Sequence, residues 1–168
     1  MFYRLFSFLK FWIASNNQHG VHSPFVYQYV TKCLYAAPNF KCSKSQNILL
    51  KTIAYFKIVH VQLATNNSTL AKEITENLAG VTITDSSSEL IFIDILDNET
   101  IDQYIVHNAN ITNDTIVYID KIHKTMGIDN LWGGIKELEQ VRVTIDLFYG
   151  GLIFFRSEQV KEHFKIRI

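Results

Sequence analysis

Charged residues are scarce in this 168-residue sequence, and neither sign dominates. They make up 19% of the chain, with 16 Lys+Arg and 16 Asp+Glu. A neutral balance gives no electrostatic reason to expect a nucleic-acid partner. Cysteines are scarce as well, and the spacing of Cys33 and Cys42 fits neither a zinc knuckle nor a redox CxxC pair. We therefore expect two free thiols in a reducing cytoplasm.

Long apolar runs are absent too. The opening segment, MFYRLFSFLKFWIAS, is interrupted by Arg4 and Lys10, and it is shorter than the roughly 20 apolar residues that span a bilayer. No signal-peptide cleavage pattern follows it. We expect a cytoplasmic protein in which this segment is a helix packed on the domain, its apolar stripe serving as core or as a homodimer contact. An interfacial membrane helix is the less favoured alternative.

What the chain does have is enough apolar material for one core. Apolar residues make up 48% of the sequence and aromatic residues 13%, which favours a single domain over residues 1–168. Helical periodicity dominates residues 1–56, and short apolar strands alternate with helices over residues 57–168. Two closing strands flank Tyr149-Gly150-Gly151, a hairpin signal. The pattern predicts an α/β fold with an N-terminal helical cap and a mostly parallel sheet that ends in an antiparallel hairpin.

Several segments contain specific residue motifs in addition to the periodic pattern. The segment HGVHSPFVY covers residues 19–27, and FID covers residues 92–94. Near the end of the chain stand VTIDLF at 143–148, GLIFFR at 151–156 and KEHF at 161–164. Together they resemble a group of class I S-adenosylmethionine (SAM) methyltransferases from Bacteroidetes. The resemblance implies a Rossmann-like fold with SAM across the carboxyl ends of the first strands, and an O-methyltransferase acting on a small molecule.

The loop after the first predicted strand departs from that group. The resemblance implies a glycine-rich turn similar to E-x-G-x-x-x-G, whereas residues 61–68 read VQLATNNS, with no glycine and no carboxylate. The matching positions place cofactor contacts at Gln62, Ala64 and Asn66. Side chains at Ala64 and Asn66 stand where bare backbone is expected. The alternative is therefore a catalytically inactive methyltransferase-fold protein that acts as a binding or interaction module.

The middle of the chain is short for the resemblance. Between the first strand and residues 92–94 the pattern predicts one helix and one strand, where the group has two of each, so about one strand–helix unit is missing. Asp85 follows the remaining strand about twenty residues after the loop, the spacing of a carboxylate that binds ribose hydroxyls. The alternative for Asp85 is a turn before Ser86. Asp94 is a further candidate cofactor contact.

The candidate catalytic residues are Asp120 and His123. In catechol-type O-methyltransferases, aspartates that match Asp94 and Asp120, plus a following Asn or Asp, bind Mg²⁺ through oxygen ligands. Here Lys121 follows Asp120, so we expect no metal and an ion pair of Lys121 with one aspartate. A neutral His123 could act as general base on a substrate hydroxyl. The alternative is a loop histidine packed against Trp132.

Overall fold

The computed structural model describes residues 2–37 and 39–168, which form six α-helices and seven strands. The helices are α1 (Phe2–Ala14), α2 (Pro24–Tyr29), α3 (Lys44–Phe56), α4 (Ser68–Asn77), α5 (Asn98–Ile101) and α6 (Met126–Glu137). The strands are β1 (His60–Leu63), β2 (Thr82–Ile83), β3 (Leu90–Ile93), β4 (Ile116–Asp120), β5 (Val143–Asp146), β6 (Gly150–Phe154) and β7 (Glu162–Lys165). A 3₁₀ turn covers Gln18–Gly20, and π-helical turns extend α2 over Val30–Leu34 and α5 over Asp102–Val106.

Local capping explains where the N-terminal helices begin. The Ser23 hydroxyl accepts the Val26 N–H, and proline occupies the first turn of α2 without losing a hydrogen bond. Ser43 and Gln46 form a reciprocal capping box at the start of α3. The predicted N-terminal helices are therefore confirmed. None of the helices in the described ranges is long and apolar enough to cross a bilayer.

The seven strands form one sheet in the order β2-β1-β3-β4-β6-β5-β7. Strands β1 to β4 are mutually parallel, β6 is antiparallel to both neighbours, and β7 pairs in parallel with β5 at the edge. Every residue of β3 and β4 is buried, as expected of parallel strands covered on both faces. The predicted mostly parallel sheet with a terminal hairpin is confirmed.

Helices cover both faces of the sheet. Buried side chains of α2, α3 and α4 pack on one face together with Val61, Phe92 and Tyr118. Buried side chains of α6 and the π-turn after α5 pack on the other face, around Trp132. The two cores make a three-layer α/β/α sandwich, with α1 and the start of α3 near the carboxyl edge of the sheet.

The position of the hairpin turn differs from the prediction. Residues 147–149 form the turn, with Phe148 at φ 64°, and the two glycines pair inside β6. Both glycines are needed there because neighbours approach the backbone closely. A Cβ on Gly150 would overlap the Tyr118 ring, and one on Gly151 would lie 2.6 Å from the Trp132 ring. The glycine pair marks close packing rather than a turn.

The strand order creates a switch point between β1 and β3. From β1 the chain passes through α4 to β2 on one side, then crosses to β3 on the other side of β1. Helix α4 and strand β2 lie between β1 and β3, which confirms the prediction of one helix and one strand in this stretch. In open α/β sheets, ligands bind outside the carboxyl ends of the strands at such a point.

Candidate functional site

A cavity of about 440 Å³ opens at the carboxyl ends of β3 and β4. The first turns of α3 and α4 form its other walls. Its lining residues are mostly polar: Ser43, Ser45, Gln46, Asn67, Thr69, Leu70, Phe92, Asp94, Asp120 and Lys121. The volume lies within the roughly 300–1,000 Å³ range of small-molecule sites. We call this space the carboxylate cavity.

Asp94, the residue after β3, is only half satisfied. Its Oδ2 accepts a hydrogen bond of 2.6 Å from the Thr65 hydroxyl, which belongs to the turn after β1. Its Oδ1 is buried and has no hydrogen-bond partner in the described part of the chain. Since buried carboxylate oxygens nearly always have a donor, a donor that reached this atom would stabilise it.

Asp120, the last residue of β4, has partners on both oxygens. Oδ1 accepts from the Ser45 hydroxyl, and Oδ2 lies 2.6 Å from Lys121 Nζ. Ser45 also lies 2.9 Å from the Tyr118 hydroxyl, and burial raises the pKa of Tyr118, so that hydroxyl stays protonated. The expected ion pair of Lys121 thus forms with Asp120. No group of three His, Cys, Asp or Glu side chains among the described residues is arranged to hold a metal ion.

A second cavity, of about 280 Å³, lies at the ends of β1 and β2. We call it the loop cavity. Leu63, Ala64, Thr65, Asn66, Asp85 and Tyr104 are among the residues that line it. The Tyr104 hydroxyl donates to the Ala64 carbonyl, and Gln62 Nε2 donates to the Asp85 carbonyl. Of the predicted cofactor residues, Ala64, Asn66 and Asp85 line this cavity, Gln62 only bonds to the Asp85 backbone, and Asp94 lines the carboxylate cavity.

The Thr65–Asp94 hydrogen bond crosses the boundary between the two cavities. Thr65 lines the loop cavity, Asp94 lines the carboxylate cavity, and Asn67 lines both. The resemblance implies SAM over the carboxyl ends of β1 and β3, which this bond joins. The turn between β1 and α4 contains no glycine, so side chains stand where the resemblance implies bare backbone. In these two respects the turn departs from the cofactor loop that the resemblance implies.

His123 lies apart from both cavities. It is buried, and its Nε2 lies 3.0 and 2.9 Å from the two oxygens of Asp146 at the end of β5. Its Nδ1 lies 3.0 Å from Asp129 Oδ1, within ion-pair distance but without the alignment of a hydrogen bond. The Phe148 ring stacks on the imidazole at a centroid distance of 5.3 Å.

The chain direction explains why His123 does not join Asp120. Lys121 has φ 51°, a left-handed conformation that turns the backbone directly after β4. Ile122 is then buried in the core on the α6 side, and the imidazole points toward Asp146. The structure thus brings Asp94 and Asp120 to one cavity and places His123 in a separate buried cluster.

Sequence reasoning missed Ser45, Thr65 and Tyr118. One signal was available for Tyr118, since residues two apart on a strand share a face, and Asp120 was already a candidate. Ser45 lies in the first turn of α3, two residues after the capping residue Ser43. The sequence therefore indicates a polar helix start, but it does not indicate that Ser45 bonds to Asp120. Thr65 and Asp94 are 29 residues apart in the sequence, and no local sequence pattern predicts a contact over that separation.

Comparison with known proteins finds a likeness in fold. No family model matches the sequence, and no curated protein matches it either. The structure is similar to the crystal structure of a "putative caffeoyl-CoA O-methyltransferase" from Staphylococcus aureus, with a TM-score of 0.53 and 8% identity, over 81% of this chain and 93% of that one. At this identity the likeness concerns the fold alone. The chain therefore has a Rossmann-like methyltransferase fold.

Proposed function

We propose that this protein is a methyltransferase-fold binding module that does not transfer methyl groups. Its ligand would be a small cation with hydroxyl groups, bound in the carboxylate cavity. The observation that carries the proposal is the Thr65–Asp94 hydrogen bond, which joins the turn after β1 to the end of β3, the two strand ends over which the resemblance implies SAM.

The turn after β1 supports this proposal because its backbone is fixed on several sides. Ala64 N–H donates to the Phe92 carbonyl, and Asn67 N–H donates to the Thr65 carbonyl. The Asn67 side chain also caps α4 by accepting from the Leu70 N–H. With these bonds in place, the backbone of Thr65 cannot shift away from Asp94 without breaking further contacts, so only a rotation of the Thr65 side chain would open the groove.

The charges of the carboxylate cavity indicate the class of ligand. Two carboxylates, Asp94 and Asp120, face one ammonium group, Lys121, and Gln46 is held by a third carboxylate, Glu73. An ammonium or hydroxyl group would supply the donor that Asp94 Oδ1 lacks. Anions are disfavoured, although the first turns of two helices partly offset the negative charge.

A SAM-dependent O-methyltransferase is the second candidate. Asp85 favours it, because this carboxylate follows β2 and lines the loop cavity, at the place where a ribose-binding acid is expected. The name of the Staphylococcus aureus protein and the resemblance of residues 19–27 to the Bacteroidetes group point the same way. In that case Thr65 would rotate away from Asp94, and Asp120 would take the proton from an acceptor hydroxyl. His123 could contribute only if its buried cluster opened.

The test is a titration with ethanolamine, the simplest probe that has both an ammonium and a hydroxyl group, followed by amide chemical shifts in ¹⁵N-labelled protein. We expect saturable shifts at Ser45, Gln46 and Asp94. Asp94→Asn should remove them, because an amide oxygen is a weaker acceptor for a cation. Asp85→Asn is the matched control, which changes the same functional group in the other cavity and should leave the titration unchanged.

Three results would reject the binding module. They are shifts spread over the surface without saturation, equal loss in both variants, or S-adenosylhomocysteine shifting residues 64–67 together with Asp85. The last result would support the methyltransferase candidate instead.

A further inference from the structure

Helix α1 presents two different faces. One face is docked on the domain: Phe8 and Phe11 pack on Phe148 at centroid distances of 4.9 and 5.5 Å, and the Tyr3 hydroxyl donates to Asp129. The opposite face consists of large apolar side chains that are mostly exposed: Phe2, Leu5, Phe6, Leu9, Trp12 and Ile13. We call these six residues the free face.

The free face is a continuous stripe. Its members recur at spacings of three and four residues, which places them side by side on one side of a helix. Phe2 is 90% exposed and Ile13 is 84% exposed, so the stripe runs from one end of α1 to the other. Six large apolar side chains on one exposed helix face are more than single scattered residues, and patches of this kind mark interaction sites.

The charge of the chain is divided along the sequence. Residues 1–72 contain eight Lys or Arg and no Asp or Glu; Glu73 is the first acidic residue. The remaining residues therefore contain 16 − 8 = 8 basic and all 16 acidic residues, so a formal charge of +8 is followed by −8. The overall neutrality conceals a strongly basic N-terminal part.

The charges beside the free face are basic. Lys10 is exposed on α1 itself, and its Nζ lies 4.6 Å from the Phe6 ring centroid. From the C-terminal end of the chain, Arg167 lies 4.9 Å from the Trp12 ring. The carboxylate that contacts α1, Asp129, is on the docked side and bonded to Tyr3. An apolar stripe bordered by cations complements an anionic lipid surface.

We propose that α1 is an interfacial anchor, which lies on an anionic membrane with its free face among the lipids and Lys10 and Arg167 at the headgroups. A second copy of the chain is a poorer occupant. In a two-fold contact the same surface meets itself, so the basic residues around the stripe would face each other without carboxylates to pair with.

The test is binding of the full chain to vesicles of phosphatidylcholine alone and of an equimolar mixture with phosphatidylglycerol. Trp12 is 54% exposed and Trp132 is 1% exposed, so a blue shift of tryptophan emission reports insertion of α1. We expect a blue shift and co-sedimentation with the anionic vesicles, weakening as salt is added.

Two variants separate the apolar and the charged contributions. Leu5→Ser with Leu9→Ser should weaken vesicle binding by about tenfold or more, because two leucines no longer enter the lipid. Lys10→Gln should weaken it by about fivefold, the contribution of one basic residue at an anionic surface. Val160→Ser is the control, since Val160 is an exposed apolar residue far from α1 in sequence. Thermal melting should show that all variants stay folded, because the changed side chains are solvent-exposed.

Several outcomes would overturn the proposal. They are equal binding to neutral and anionic vesicles, equal binding by Leu5→Ser/Leu9→Ser and wild type, or no vesicle binding at all. A concentration-dependent dimer that Leu5→Ser/Leu9→Ser dissolves, without vesicle binding, would assign the free face to a second copy of the chain.

Discussion

The two sides of the carboxyl edge of the sheet use the same residue types in opposite ways. At the ends of β3 and β4, Asp94 and Asp120 face a cavity, and one oxygen of Asp94 has no donor among the described residues. At the end of β5, Asp146 is 1% exposed and bonded to His123, which Phe148 and α1 cover. The first arrangement is open and incomplete, and the second is closed and paired.

A polar residue at a strand end can therefore form part of a ligand site only where the surrounding packing leaves a cavity beside it. On the closed side, Phe11 and Phe148 enclose the imidazole, and Tyr3 engages Asp129. On the open side, the polar first turns of two helices border the cavity, and Phe92 is the aromatic residue among its lining residues. The closed cluster therefore fixes α1 on the domain, and the open cavity remains for a ligand.

We expect the largest loss of stability from a substitution in the closed His123–Asp146 cluster. Asp146→Ala leaves buried His123 without its principal acceptor, and it also removes the acceptor of the Phe148 N–H. We expect a loss of about 3–5 kcal/mol in unfolding free energy, measured by urea denaturation. Asp120→Ala is the matched change on the open side. It should cost about 1 kcal/mol, because Ser45 keeps Tyr118 as a partner and Lys121 is exposed. Equal losses would contradict the distinction.

The next effect tests the packing behind the hairpin. Gly151→Ala places a methyl group 2.6 Å from the Trp132 ring, which should destabilise the fold by about 1–3 kcal/mol. Gly133→Ala is the control within α6, where no described atom other than those of the adjacent residues and the nearby helix backbone lies within 4 Å of the added methyl group. It should stabilise the protein by up to about 1 kcal/mol through helix propensity. Thermal melting of both variants would show shifts of opposite sign.

A smaller effect tests the bond across the switch point. Thr65→Val keeps the shape of the side chain but removes the donor to Asp94 Oδ2, so we expect a loss of about 1 kcal/mol. Thr65→Ser keeps the hydroxyl and should change the unfolding free energy by less than the valine variant does. Identical denaturation midpoints for the two variants would mean that the hydrogen bond contributes nothing in solution.

The smallest effect concerns the attachment of α1 at high pH. Burial, and then the hydrogen bond to Asp129, raise the pKa of Tyr3 to about 12 from its ordinary value of 10.0. Because the pKa of Tyr3 is higher in the folded state, protonated Tyr3 stabilises the fold. This stabilisation is complete below pH 10 and is lost as the pH rises toward 12. The Tyr3→Phe variant has no hydroxyl to ionise, so it should lack this pH-dependent stabilisation. Stability curves for the two proteins should therefore converge between pH 10 and 12, and parallel curves would contradict the assignment.

The sequence predicted the fold better than the site, for physical reasons. Helical periodicity over residues 1–56 predicted the N-terminal helices, and short apolar runs predicted the strands that follow, because these signals are local. Asp94 and Asp120 could be placed together because parallel strands end at one edge.

The failures were long-range. Gly150 and Gly151 were interpreted as a turn, since sequence alone does not reveal that Tyr118 and Trp132 press on them. The left-handed backbone conformation of Lys121, which turns His123 away from the cavity, is not indicated by the sequence either. The role of His123 as general base stays a prediction that its burial does not favour.

The most direct measurement is a calorimetric titration of the wild-type chain with S-adenosylhomocysteine. If the Thr65–Asp94 bond divides the groove, there will be no saturable heat at millimolar ligand and no rise in melting temperature. One-to-one binding would contradict the account, since a ligand at about 100 times its dissociation constant adds about 2.7 kcal/mol of stability. Such a result would show that Thr65 yields to the cofactor and that the methyltransferase candidate is the better one.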